Sequence, residues 1–144
     1  METVKQILSS KGNEIYSISP NETVYEALKV MSDKKIGALL VVEDDNIFGI
    51  MSERDYARKV TLMGKSSKDA PVREIMSSKV IYVNPNQSVE ECMALMIEKR
   101  IRHLPVLENG KLVGLISIGD VVKAVIGEKE LVIDQLIHYI TGTP

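Results

Sequence analysis

Apolar residues along this chain keep two rhythms, and the pair of rhythms is played twice. Spacing of i, i+3, i+4, i+7 at Val24, Ala27, Leu28 and Met31, and again at Val89, Cys92, Met93 and Met96, predicts two helices with one buried stripe each. Pro-Asn precedes each helix, followed by a hydroxyl residue with Glu three places on: Thr23 with Glu26, and Ser88 with Glu91. That is a capping box, in which hydroxyl and carboxylate satisfy amides left open at a helix start. Two short apolar runs follow each helix, Ile36 to Val42 with Ile47 to Met51, then Ile101 to Leu107 with Leu112 to Ile116. Asn109-Gly110 predicts a two-residue hairpin turn because both residues accept positive φ, and Asp44-Asp45-Asn46 is a weaker version. Residues 14–19 and 79–84 alternate enough for a further short strand. Residues 54–60 and 120–126 read as second helices. The fold class is therefore mixed α+β, built from two strand-helix-strand-strand-helix units.

The two units are one sequence written twice. Residues 15–60 shifted by 65 positions fall on 80–125 without a gap, and Pro20, Asn21, Gly49, Ser52 and Asp55 land on Pro85, Asn86, Gly114, Ser117 and Asp120. The lead-in repeats as well: Val4, Ile7, Ser9, Ser10 and Lys11 return as Val72, Ile75, Ser77, Ser78 and Lys79, with Gly12-Asn13-Glu14 inserted. The expected organisation is a first repeat with lead-in and connector over 1–70, a second over 71–126, and a C-terminal helix over 127–144. Half of 144 residues supplies too small a core for confident independent folding, so the pair should form one compact module about a pseudo-twofold axis, with equivalent clefts between the repeats. In the C-terminal helix Ile133, Leu136, Ile137 and Ile140 form an apolar stripe. Its simpler destination is the domain's own core; a subunit contact is the alternative.

Composition narrows the partners. A net charge of -2 and a pI near 5.7 argue against the basic face that neutralises nucleic-acid or lipid phosphates, and aromatics at 4% give single strands little to stack on. No nucleic acid and no membrane partner is expected. The lone Cys92 sits at an apolar helix position and reads as a buried, inert thiol, suited to a reducing compartment. With no apolar run long enough for a signal or a membrane span, the location expected is cytoplasmic.

Each hairpin is followed by G-x-x-S-x-x-D, Gly49-Ile50-Met51-Ser52-Glu53-Arg54-Asp55 and Gly114-Leu115-Ile116-Ser117-Ile118-Gly119-Asp120. Ser with an acid three residues later is itself a helix cap worth about 1 kcal/mol. The same junction suits a ribonucleotide: open amides and a hydroxyl favour phosphate, and a carboxylate favours a vicinal diol. Lys99 to Val106 adds cations beside an apolar strand. Pro105 should sit where the ladder is interrupted and backbone is free for a base, with Arg102 or His103 near phosphates.

The gapless duplication, the element order, Arg102-His103-Leu104-Pro105-Val106 and the two G-x-x-S-x-x-D junctions resemble a tandem pair of cystathionine-beta-synthase (CBS) domains, a Bateman module. The resemblance covers the chain to about residue 126 and suggests a stand-alone module that regulates a partner in trans. It implies two clefts for AMP, ADP or ATP, with NAD or S-adenosylmethionine as further possibilities. Asp55 with Ser52, and Asp120 with Ser117, would hold ribose or phosphate. Ser17 and Ile18, and Tyr82 and Val83, would frame the base, and Leu104 and Pro105 would adjoin it. Arg102 and His103 could serve the cleft around Ser52 and Asp55 with Arg54 or Arg58 assisting, so that cleft is expected to bind phosphate more strongly. The resemblance also suggests a homodimer.

An enzyme is the first rival reading. Two His and one Cys supply no metal cluster and no nucleophile with its base. Gly64-Lys65-Ser66 lacks the upstream Gly and strand of a phosphate loop and reads as connector. His138 reads as a surface or interface residue. The second rival is an interaction module whose clefts are vestigial.

Overall fold

The computed structural model describes residues 2–12 and 14–141. In order the elements are α1 (Val4–Lys11), β1 (Ser17–Ile18), α2 (Val24–Lys34), β2 (Ala38–Glu43), β3 (Asn46–Ser52), α3 (Glu53–Tyr56) running into a π-helical turn (Ala57–Thr61), α4 (Val72–Ile75), α5 (Val89–Lys99), β4 (His103–Glu108), β5 (Lys111–Ser117) and α6 (Ile118–Thr141). The mixed helix and strand class is as expected.

Both copies build the same hairpin. β2 pairs antiparallel with β3 from Ala38↔Ser52 to Glu43↔Asn46, and β4 with β5 from His103↔Ser117 to Glu108↔Lys111. Asp44 and Asp45, like Asn109 and Gly110, take positive φ, so both turns are two-residue primed turns and the weaker signal gives the same geometry. α2 and α5 each end on a left-handed residue, Lys35 and Arg100. Their N-caps make only half the expected box. Thr23 and Ser88 accept from the amides of Glu26 and Glu91, but Glu26 leans toward Lys29 at 3.8 Å and Glu91 toward Ser88 Oγ and Gln87.

The expected strand over 79–84 is reduced to one bridge, Val83↔Val106. Comparison of the copies supplies the reason. In the first, β1 lies parallel to β2, and the Leu40 amide donates to the Tyr16 carbonyl at 3.4 Å. Pro105 occupies the position of Leu40 and has no amide to give, so the ladder loses a rung. What survives is Val83 N to Pro105 O at 3.0 Å and Leu107 N to Val83 O at 2.9 Å. The interruption expected at Pro105 thus falls on this parallel edge.

In space the chain divides into two compact units, one of Ile15–Val80 and one of Met1–Glu14 with Ile81–Pro144. This division cuts the chain at other points than the sequence repeat does, because the lead-ins are exchanged. α1, from the first lead-in, puts Val4, Ile7 and Leu8 into a core with Val89, Cys92, Met96, Leu104, Ile116 and Val121. α4, from the second lead-in, puts Val72 and Ile75 into a core with Val24, Met31, Leu39 and Met51. Main-chain bonds fix both exchanges: the Val89 amide donates to Glu2 O at 3.0 Å, and the Val24 amide to Ala70 O at 2.9 Å.

α6 departs from expectation twice. The second helix of the repeat and the C-terminal helix are one continuous rod, about 36 Å long at 1.5 Å per residue, that runs through Gly127 without a break. Positions 142–144 of the expected C-terminal helix lie outside the described residues. Only Val121 and Ala124 of α6 are buried, while Leu136 is 54% and Ile140 79% exposed. The stripe therefore does not close the core of its unit.

Candidate functional site

Each G-x-x-S-x-x-D motif begins in the middle of a strand and ends in the first turn of a helix. The Ser52 amide donates to Asp55 Oδ2 at 3.0 Å, and the Asp55 amide returns a bond to Ser52 Oγ at 3.2 Å. The copy at Ser117 and Asp120 repeats this at 2.8 and 3.2 Å. Here the full reciprocal cap is made. The next amide is also taken: Glu53 N donates to Gly37 O at 3.1 Å, and Ile118 N to Arg102 O at 2.8 Å. The open helix-start amides expected to attract phosphate are thus largely committed within the protein. The carboxylates remain the distinctive groups.

Motif glycines have a packing reason. A Cβ on Gly49 would lie 2.6 Å from the Ser77 carbonyl oxygen, and one on Gly114 would lie 2.5 Å from Leu8 Cδ2. Both close neighbours belong to the exchanged lead-ins, and Ile50 and Ser77 exchange amide-to-carbonyl bonds of 3.0 and 2.8 Å. A lead-in can approach the motif strand so closely only where no side chain intervenes.

This approach brings in residues that local spacing does not reveal. Ser77 Oγ donates to Asp55 Oδ1 at 3.3 Å, and Lys59 Nζ lies 3.4 Å from that oxygen while donating to Ile75 O at 3.1 Å. In the other unit Lys11 Nζ lies 2.7 Å from Asp120 Oδ2 and 2.8 Å from Leu115 O. Both carboxylates therefore meet a lysine that also ties down a backbone carbonyl. Burial raises the pKa of Asp120, but the bonds from Lys11 and Ser117 outweigh it and the net shift is downward. Its Oδ1 accepts no bond from a described residue.

Other candidate residues divide by placement. His103 stands opposite Ser117 across the β4–β5 ladder. Burial lowers its pKa first, and the Lys11 charge lowers it further; Asp120 opposes, and Arg102 adds to the lowering. Within its unit His103 thus keeps company with Asp120 and Lys11. Arg54 is half-buried on α3, and Arg58 is exposed on the π-helical turn. Ser17 and Tyr82 are exposed and Ile18 is half-buried. Val83 and Leu104 are core residues whose side chains are enclosed by their own unit, and Val83 also has both main-chain groups in the ladder. Pro105 is buried. Among the described residues no group of His, Cys, Asp and Glu could hold a metal. Burial first, and then the Glu91 charge, push the buried Cys92 thiol up to about 11, which keeps it protonated and unreactive at neutral pH.

The family model of the CBS domain matches residues 4–61 and again 72–127. The chain belongs to the CBS-domain family. It is 40% identical over 149 residues to the mitochondrial CBS domain-containing protein CBSX3 of Arabidopsis thaliana, covering 97% of this chain and 72% of that protein. A solved structure of a CBS-domain protein from Burkholderia ambifaria is 60% identical with a TM-score of 0.86, over 88% of this chain and 95% of that one. The CBS domain pair of MJ0100, 23% identical with a TM-score of 0.76 over 89% of this chain and 98% of that one, shares the fold; it was solved in complex with methylthioadenosine and S-adenosylmethionine. Among the described residues no helix is long and apolar enough to cross a membrane.

Proposed function

We propose that this CBS pair is a non-catalytic regulatory module that binds adenosine-containing ligands and acts in trans on a partner through ligand-dependent shape. Ser52 with Asp55, and Ser117 with Asp120, are the ribose-holding groups, with AMP, ADP or ATP as the preferred class and NAD or S-adenosylmethionine as alternatives. Arg102, Arg54 and Arg58 supply charge for phosphates, and His103, held neutral by burial and by Lys11, offers a hydrogen bond. Ser17, Ile18, Tyr82 and the backbone around Pro105 are the candidates to flank the base. One observation supports this most: Asp120 is held by Ser117 and Lys11, yet keeps Oδ1 open beside the Lys11 ammonium. The ligand alters shape only as far as its affinities for two arrangements differ.

A calorimetric and thermal-shift panel of adenosine, AMP, ADP, ATP, NAD and S-adenosylmethionine tests this. Ligand at about 100 times its dissociation constant should stabilise the fold by roughly 2.7 kcal/mol. Silence across the whole panel leaves the second reading, an interaction module with vestigial sites. That reading draws on Asp55, whose two carboxylate oxygens are both already engaged.

The exposed stripe of α6 supports a homodimer. Ile126, Ile133 and Ile140 recur every seven residues with Leu136 between the last two, the seam of a coiled-coil pairing that a second copy would complete isologously. Native mass spectrometry of wild type and of Ile133→Glu with Leu136→Glu should read a dimer and a monomer. The cellular site proposed is the cytoplasm, where a single unpaired cysteine stays reduced.

A further inference from the structure

We propose that Lys11 is a specificity-determining residue of the Asp120 site, making that site select adenosine ligands with negatively charged 5′ substituents over neutral nucleosides. The inference rests on the reading of Asp120 as a ribose-holding group. Lys11 is held in place from several directions. Its ammonium donates to Asp120 Oδ2 and to the Leu115 carbonyl, the helix that carries it is seated by Leu8 against Gly114, and the Gly12 amide closes that helix on Leu8 O at 2.9 Å.

The division of labour at the carboxylate follows atom by atom. Oδ2 is occupied by Lys11 and by the Ser117 amide, so a sugar hydroxyl finds Oδ1. A lone carboxylate at this spot would accept a diol and at the same time repel phosphates tethered to the same sugar. Lys11 cancels that charge without covering the accepting oxygen. Neutral adenosine gains nothing from the cancellation, whereas a di- or triphosphate does. The first copy lacks this device in this form: its lead-in presents the Ser77 hydroxyl to Asp55, and the lysine there comes from the motif's own helix.

The test is titration calorimetry of adenosine and ATP on Asp55→Ala protein, so that the Asp120 site is the one read, with and without Lys11→Met. Lys11→Met should lower the ATP-over-adenosine preference about tenfold, and Lys11→Arg should retain it. Lys79→Met is the control: Lys79 is the counterpart of Lys11 in the repeat and makes no hydrogen bond or ion pair with a described residue. It should leave the preference unchanged. If circular dichroism finds Lys11→Met unfolded, Lys11→Gln keeps a donor to Asp120 without the charge and should give the same drop. A preference unaltered in a folded, charge-free variant overturns the inference while leaving nucleotide binding intact. Binding that vanishes on Asp55→Ala alone also overturns it. No heat from wild type with either ligand refutes the ribose reading beneath it.

Discussion

The two motif sites have one chemistry with opposite provenance. Around Asp55, the lysine comes from the helix that the motif itself starts, four residues on, and it reaches out to the lead-in carbonyl of Ile75. Around Asp120, the lysine comes from the lead-in and reaches in to the strand carbonyl of Leu115. The residue at the Lys59 position of the second copy is Ala124, so the two lysines are not repeats of one another. Duplication preserved the carboxylate and its cap, and each copy found its own way to neutralise the charge. What persists is the requirement for a cation tied to both the carboxylate and the backbone, because a half-buried carboxylate without a partner is costly.

The comparison can be broken most sharply at the carboxylates. Asp120→Ala and Asp55→Ala should each abolish their own site, weakening binding there by about 100-fold, the loss of one or two charge-assisted hydrogen bonds. Calorimetry would reveal two independent losses; a single shared loss would mean that only one site operates. Next come the glycines. Gly49→Ala drives a methyl into the Ser77 main-chain oxygen and should cost about 2–3 kcal/mol, whereas Gly114→Ala meets the tip of the Leu8 side chain, which can turn aside, and should cost about 1 kcal/mol. Equal denaturant midpoints would contradict that order. Smaller again are the lysines. Lys11→Met should destabilise by up to about 1 kcal/mol and Lys59→Met by less, since the former bond is 2.7 Å and the latter 3.4 Å and both side chains remain partly solvated.

The smallest effect is a pH dependence confined to the second copy, where His103 stands at the position of Ala38. With its folded-state pKa lowered by burial and by Lys11, the unfolded chain binds a proton more readily. Stability should therefore be full above the ordinary histidine value of about 6.5 and decline as pH falls through it toward the lower folded-state value. Urea unfolding at pH 7.5 and 5.5 should detect this in wild type, and His103→Gln should flatten it. A variant as pH-sensitive as wild type would reassign the effect to other groups.

Much of this was legible in the sequence because it is local. The Ser52–Asp55 and Ser117–Asp120 caps need only three-residue spacing, and the primed hairpin turns need only two tolerant residues. Lys11 and Ser77 were not legible as site residues, since they reach their carboxylates from 109 and 22 positions away. The hint lay in the repeated lead-in, coupled with glycines where a strand ordinarily prefers a side chain. The strand over 79–84 failed for a chemical reason that periodicity ignores, the missing amide of Pro105. A boundary after residue 126 was expected because the repeat ends there, yet Gly127 does not take a positive φ and the helix continues through it.

Exchange of the lead-ins sets an order on biosynthesis. By the time residue 80 has left the ribosome, Ile15–Val80 has every strand and helix it needs to close. α1, made earlier, must wait for β5 and α5 before Leu8 has Gly114 to rest on and the amide of Val89 has Glu2 to bond. At elongation rates of about 5–20 residues per second that wait lasts roughly 5–20 seconds. Within this pair α1 is made before its neighbours and is among the last elements to be housed, so it is where a chaperone would find the fold unfinished.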